Sequence, residues 1–413
     1  MRIVAGNEAA SMVECLASRR QHLERFDDQV RPIVQEVRNG GDRVLRKYSE
    51  QWDGLKPEQP LRVSNAEMMR GWKSLGRELQ SSLRLAARRI QQFSEWQKPK
   101  PWMRSQAGIS QGQLVKPLDS VGCYVPGGRY PLVSTVLMTV IPAQVAGVKN
   151  IRIVSPKPST EVLAAAGMLG VREFYRIGGA QAIAALAYGT ESIRRVDKIV
   201  GPGNAYVTAA KKLVSFDCAI DFLAGPTEAL ILSSSGNADF IAADLVAQAE
   251  HDVESVSIFL TTSCKLGDAV SLSVRRIAEG NPTAQESLER HGVVLIAASR
   301  AQARAWANRL ASEHITVDPD DLPFIDNAGS IFVGDYSAQA AGDYASGPNH
   351  VLPTSGQARF RGGLSVADFV KVITVQNLSR TGLRKIAPAI ESLAEAEGLP
   401  GHLNSVRVRC AHA

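Results

Sequence analysis

The sequence predicts an α/β protein built on open parallel sheets, and three observations predict it. Short apolar runs alternate with helical patterns from Ser120 onward, each run is closed by Gly or Pro, and the Gly-rich turns fall where strand gives way to helix. Four such units follow one another: VGCYVPGG with LVSTVLMTVIPAQVAGV, IRIVSP with STEVLAAAGML, FYRIGG with AQAIAALAYG, and KIVGPG with NAYVTAAKKLV. Ligands of such sheets bind at the carboxyl ends of the strands, where VPGG, IGGAQ and VGPGN lie. A second series begins at Glu228. It runs through EALILSS, ADFIAADLVAQAEH, SVSIFLTT, LGDAVSLSVRRIAE, VVLIAAS and RAQARAWANRLA to EHITV and GSIFVG, another doubly wound layer.

Ahead of these series, residues 14–104 are polar and repeat apolar residues at spacings of three and four, which predicts helices. KPKP at residues 98–101 stops them, because proline lacks the amide donor and forces its predecessor out of the helical region. The tail after Asp368, VADFVKVITVQNLS and APAIESLAEAEGL, reads as mostly helical and closes on GHLNSVRVR.

At 413 residues, with 45% hydrophobic and 21% charged residues, the composition is that of a globular protein of two or three domains. The net charge of +6 speaks to solubility rather than to a nucleic-acid partner, since the basic residues are dispersed. Their mild concentration from Arg84 to Arg104 reads as the solvated face of a helix. Five scattered cysteines without a CxxC pair point to a reducing compartment. No secretory signal and no apolar run of roughly 18 residues is present, so a cytoplasmic protein without a membrane partner is expected.

Four of the seven histidines, His251, His314, His350 and His402, lie where other polar residues crowd near an element end. In the helix expected from Asp239 to about His251, Phe240, Ile241, Leu245 and Val246 form the buried side. Asp244, Gln248 and His251, four and three apart, share another face. Gln248 and His251 stand at the carboxyl end, where the helix dipole favours a cation, although surface decoration would give the same spacing. GDYASGPNHVLPT, residues 342–354, gathers Asp343, Asn349 and His350 in a punctuated loop. Mixed oxygen and nitrogen donors suit Zn2+ or a similar first-row ion in a catalytic or substrate-binding role.

Glu313 and His314 open a predicted strand, so their side chains are expected to leave the backbone on opposite sides. An imidazole near neutrality can take a hydroxyl proton, and a carboxylate beside it can orient a water or the ring. No GxGxxG opens any unit. GPGN is nearest: Gly201 and Gly203 allow close backbone approach, and Asn204 starts a helix whose positive end accepts phosphate. Tyr124 and Gln181 stand at the edges of neighbouring units. Cys123 and Cys218 fall nearby and read as small buried residues rather than nucleophiles.

Together, VGCYVPGG, STVLM with PAQVAGV, GGAQAIAALAYGTE, VDKIVGPGNAYVTAAKK, IDFLAGPTE, DLVAQAEHD, SEHI, AGDYASGPNHVLPT, GLSVADFVK and HLNSV occur in an order that resembles the histidinol dehydrogenase family from about Ser120 onward. The resemblance implies two Rossmann-like doubly wound domains with small helical N- and C-terminal extensions, in an intertwined homodimer. Its implied division is residues 1–19 as N-terminal extension and 20–123 with 227–365 as the first domain, carrying the Glu-His pair and metal ligands. Residues 124–226 would be the second domain, on the NAD side, and 366–413 a dimerisation tail. One Zn2+ per site would be held by Gln248, His251, Asp343 and His402, the last crossing from the neighbouring subunit. Glu313 and His314 match the acid/base pair, and Tyr124, Gln181 and Asn204 the NAD contacts. Thr227, His314 and Glu397 match positions that touch substrate, with the metal ligands Gln248, His251, Asp343 and His402 beside them. The implied reaction is the oxidation of L-histidinol through L-histidinaldehyde to L-histidine, with two hydride transfers to NAD.

Three departures from the family's pattern stand out, the first two bearing on substrate fit and the third reading as a trimmed surface loop. Thr227 stands where serine is commoner, GGRYPL replaces smaller residues after VPGG, and the stretch from Glu313 to Asp343 is slightly short. One alternative is a paralogue oxidising another small alcohol, such as a sulfonated propanediol. A sulfonate would call for a basic partner where Glu397 offers an acid. The other alternative is a catalytically silent protein that binds nucleotide or nucleic acid.

Overall fold

The computed structural model describes residues 1–19, 24–127 and 131–411. The chain opens with strand β1 (Arg2–Ala5) and helix α1 (Gly6–Ala17), followed by helices α2 (Glu24–Trp52), α3 (Asn65–Ser74) and α4 (Arg77–Gln97). A hairpin of β2 (Trp102–Gln106) and β3 (Ile109–Pro117) leads into the first alternating series. That series is β4 (Ser120–Tyr124), α5 (Val133–Ala146), β5 (Asn150–Val154), α6 (Thr160–Met168), β6 (Glu173–Tyr175), α7 (Gly179–Tyr188), β7 (Lys198–Val200), α8 (Ala205–Val214) and β8 (Ala219–Ile220). Its strands form one parallel sheet in the order β6-β5-β4-β7-β8.

The second series is β9 (Glu228–Leu232), α9 (Ala238–Ala249), β10 (Val256–Thr261), α10 (Cys264–Ile277), α11 (Pro282–His291), β11 (Gly292–Ile296), α12 (Arg300–Leu310), β12 (His314–Val317), β13 (Ser330–Val333) and α13 (Gln339–Tyr344). It forms a parallel sheet ordered β1-β11-β10-β9-β12-β13. Counted within its own series, each sheet runs 3-2-1-4-5. Both therefore reverse direction beside their first strand, the arrangement of a Rossmann half. The tail is β14 (Val370–Leu378), α14 (Arg380–Ala396) and α15 (Pro400–Ala411).

Parallel strands covered on both faces need apolar side chains on both, and β9, β10 and β11 are buried at every position. Side chains that accept the first free helix amides fix several starts: Ser159 for α6, Asn204 for α8, Asn237 for α9 and Ser299 for α12. The basic face of α4 is solvated, as expected, while Leu83, Ala86 and Ile90 bury its other side.

Several boundaries differ from the sequence reading. Residues 1–19 are no separate extension: β1 pairs with β11 and α1 packs on α12, so they complete the second sheet. Residues 20–123 pack on the first sheet rather than the second, and of residues 227–365 the stretch around Val351 and Leu364 shares their core. Helices α2, α3 and α4 pack on α7 and α8, on α6 and on α5 respectively, and β4 is the central strand of the first sheet. Their apolar stripes had no partner legible in the sequence, and the face they cover was decided by tertiary packing. Residues 370–378, expected to be helical, form β14, antiparallel to β3 over nine residue pairs, because their β-branched residues suit a pleated surface. Phe240 is exposed rather than buried. Gly128, Arg129 and Tyr130 of the GGRYPL departure lie outside the described residues.

Candidate active site

Two groups of side chains form around these sheets. The first lies at the carboxyl ends of the first sheet, where Tyr124 closes β4 and Gly201 follows β7, its reversal point. Tyr124, Gln181 and Asn204 all line one cavity of about 910 Å³, together with Asp53, Pro156, Lys157 and Tyr206. The Tyr124 hydroxyl accepts from the Gly179 amide at 3.1 Å. Asn204, expected to start a helix, caps α8 through the Val207 amide at 3.1 Å. Gly201 has φ +113°, and a Cβ there would meet the Tyr124 carbonyl oxygen at 2.1 Å, so only glycine closes this turn.

A buried ion pair absent from the sequence reading holds that turn. Asp221 accepts from the Gly201 amide at 2.7 Å and from the Phe222 amide at 2.6 Å, and pairs with Lys211. Lys211 in turn donates to the Gly201 carbonyl at 3.1 Å. The two side chains are 1–2% exposed, so this pair is sealed from water. Lys211 and Asp221 are ten residues apart on different elements, and no spacing rule links them.

The second group lies at the amino ends of β9 and β12, neighbouring strands in register at Ala229 and His314. Gln248 donates its amide to the Thr227 hydroxyl, and Thr227 donates to Glu313 Oε2, which also accepts from the Glu228 amide at 2.9 Å. Gln248 Nε2 is thus occupied, and its Oε1 remains as the donor atom for a ligand. His314 Nδ1 stands 3.7 Å from Glu313 Oε2, and His314 Nε2 stands 3.7 Å from Asp343 Oδ1. Glu313 precedes the strand, which starts at His314, and both side chains reach one site. Asp343 sits on the short helix α13 rather than in a loop, and its carbonyl meets His350 Nδ1 at 2.8 Å. Gln248 is in the last turn of α9, and His251, just beyond it, lies within electrostatic range of Asp343 and His350.

Burial pushes the Glu313 carboxyl up to about 7, against the pull of His314 and Thr227 and with a further push from Glu228. For His314 the cost of burial is outweighed by the Glu313 and Asp343 carboxylates, and its pKa is raised. Asp343 is lowered, because His314 more than offsets its burial. Burial pushes Asp244, one turn before Gln248, up to about 6. Cys123 and Cys218 are likewise pushed by burial to about 12, which leaves both as inert thiols.

Two expected site residues are not brought here within the single chain. Glu397, at the end of α14, and His402, in the first turn of α15, are both exposed. Among the described residues, no three His, Cys, Asp or Glu side chains gather into a metal cage.

A family model for histidinol dehydrogenase matches residues 16–410. This chain belongs to the histidinol dehydrogenase family. It is 46% identical to the histidinol dehydrogenase of Methanothermobacter thermautotrophicus over 402 residues, 93% of this chain and 94% of the relative. It is 43% identical to that of Aquifex aeolicus, over 96% of both chains. The crystal structure of histidinol dehydrogenase from Elizabethkingia anophelis superposes with a TM-score of 0.94 at 36% identity, covering 99% of this chain and 98% of that one. Membership makes the chain an oxidoreductase of histidine biosynthesis. No helix among the described residues is long and apolar enough to cross a membrane.

Sequence reasoning missed Asp53, Glu228, Lys211 and Asp221. Asp53 stands in a WDGL turn far from the sheet in sequence, and only its Asp-Gly step marked it as a turn. Glu228 was read as the first residue of a strand, yet its amide feeds Glu313 and its carboxylate accepts from the Ser355 amide at 2.9 Å.

Proposed function

We propose that this chain oxidises L-histidinol through L-histidinaldehyde to L-histidine with NAD and Zn2+, in a site completed by a second copy of itself. The observation that carries the proposal is the Gln248–Thr227–Glu313–His314–Asp343 array, an acid/base pair set directly against metal-type donors. The donor set fits a divalent ion: the free Gln248 oxygen, the Asp343 carboxylate and the His251 imidazole are mixed oxygen and nitrogen ligands, one short of four. His402 of a second copy supplies the fourth. The small sheet of β14, β3 and β2, with the tail beside it, exposes Trp102, Met103, Leu114, Ile373 and Leu393, an apolar surface suited to a homodimer contact. When bound, the zinc would anchor the amino and imidazole nitrogens of the substrate, and NAD would accept a hydride in each half.

The chain's own residues do the proton work. His314 takes the hydroxyl proton of the alcohol in the first half. Glu313, poised at about 7, takes a proton from the water that hydrates the aldehyde in the second half. Thr227 and the Glu228 amide hold its carboxylate in place. Tyr124, Gln181 and Asn204 line the cofactor cavity, and Glu397 from the partner's tail meets the cationic end of the substrate. Incubating the protein with L-histidinol and excess NAD tests the reading: two NADH per histidinol support it. One NADH, with aldehyde released, would defeat the second half. A preference for a sulfonated propanediol would defeat the substrate assignment.

A further inference from the structure

The far wall of the 910 Å³ cavity contains a carboxylate with no part in the chemistry above. Asp53 follows α2 and is only 7% exposed. Its Oδ2 accepts from the Gly178 amide at 2.9 Å and from Gln181 Nε2 at 3.2 Å. Both partners belong to the start of α7, which follows β6. Lys157, which follows β5, lines the same cavity. In a Rossmann half, the strands on this side of the reversal point face the adenosine ribose.

An ionised carboxylate offers no proton, so Gln181 must turn its NH2 toward Asp53. Its Oε1 then has no partner among the described residues, although the side chain is only 1% exposed. The neighbouring Gly179 amide is spent on the Tyr124 hydroxyl. At this point the Gly178 and Gly179 amides and one N–H of the Gln181 side chain are engaged, and the Gln181 oxygen is left as an unpaired buried acceptor in the wall. Lys157, the one cation among the described lining residues, is exposed and would favour a phosphate, so discrimination falls to the Asp53–Gln181 pair.

We propose that Asp53 is a positioning residue that fixes the Gln181 amide with its oxygen toward the cofactor, so that the cavity selects an unphosphorylated ribose hydroxyl and hence NAD over NADP. The inference rests on the reading of this cavity as the NAD site.

Steady-state kinetics of Asp53→Ala, with folding checked by circular dichroism, tests it. The KM for NAD rises about tenfold, as expected for a lost charge-assisted hydrogen bond, while kcat at saturating NAD and the KM for histidinol stay unchanged. The NAD to NADP ratio of kcat/KM falls, because the freed amide can turn its NH2 outward to a phosphate. Asp53→Asn, whose Oδ1 can accept both N–H groups, restores the KM. An unchanged KM in folded Asp53→Ala, or an equal loss in Asp53→Asn, overturns the proposal. Should Asp53→Ala not fold, the unaltered protein decides: ADP-ribose binds at least about tenfold more tightly than its 2′-phosphorylated analogue, and equal affinities overturn the role of Asp53. Failure to bind ADP-ribose at all would instead refute the cavity as the NAD site.

Discussion

Glu313→Gln exchanges the proposed water-activating carboxylate for an amide of the same shape, whose oxygen can still accept from Thr227 and from the Glu228 amide. Burial raises the carboxyl from its ordinary 4.5 to about 7, which corresponds to about 3 kcal/mol at 1.36 kcal/mol per tenfold change in proton affinity. The folded state therefore binds an extra proton between those limits. The stability linked to this group is fully present below pH 4.5, falls as pH rises, and levels off above about 7. Glu313→Gln is free of this penalty, so it should unfold at higher urea than the parent at pH 8, with the difference vanishing toward pH 4.5. His314, whose pKa is raised, adds stability below its ordinary value that is lost as pH rises through its folded value. The comparison is therefore made in a His314→Asn background, where loss of the imidazolium can only raise Glu313 further. Catalysis moves the other way: aldehyde oxidation falls by about 10²–10⁴ and loses its rise through pH 7. A Glu313→Gln protein that is less stable than its parent at pH 8, or that keeps the rising limb, would refute the reasoning.

Lys211→Met should cost about 3–5 kcal/mol, because it strands the Asp221 carboxylate in the interior; urea denaturation reads the loss, and a change below about 1 kcal/mol would show that the pair carries little. The same variant should raise the KM for NAD more than that for histidinol, since the Gly201 turn loses its clamp. Thr227→Val removes the hydroxyl between Gln248 and Glu313 and should lower kcat about tenfold or more with the sedimentation profile of the parent unchanged. Reaction with a thiol-directed alkylator should leave Cys123 and Cys218 unmodified in the native protein, as burial and pKa values near 12 require; rapid loss of activity on alkylation of either would contradict this.

The two sheets were legible because parallel strands must be apolar on both faces, and runs such as EALIL and VSIFLT leave little choice. The GPGN turn announced itself through Gly201 and Asn204, whose roles are local. Helical spacing reached Gln248 in the last turn of α9, whereas His251 lies just beyond the helix end at Ala249, where spacing no longer applies. Partners distant in sequence left no such trace. Lys211 finds Asp221 across an intervening strand, and Asp53 reaches α7 only after the N-terminal helices have docked on the first sheet. The segment 370–378 misled because VKVITVQNL satisfies strand and helix patterns alike, and its pairing with β3 decided between them. Glu397 and His402 gained roles only through the family's motifs, for nothing within one chain carries them to the array.

Subunit mixing tests the shared site most directly. His251→Asn and His402→Asn are each expected to be inactive and dimeric. When the two are dissociated together and reassociated, about half of the dimers are mixed, and each mixed dimer regains one intact site, so activity should recover to about a quarter of the parent rate. A mixture as inactive as its components, with mixed dimers demonstrated by mass spectrometry, would contradict the contribution of His402 from a second copy.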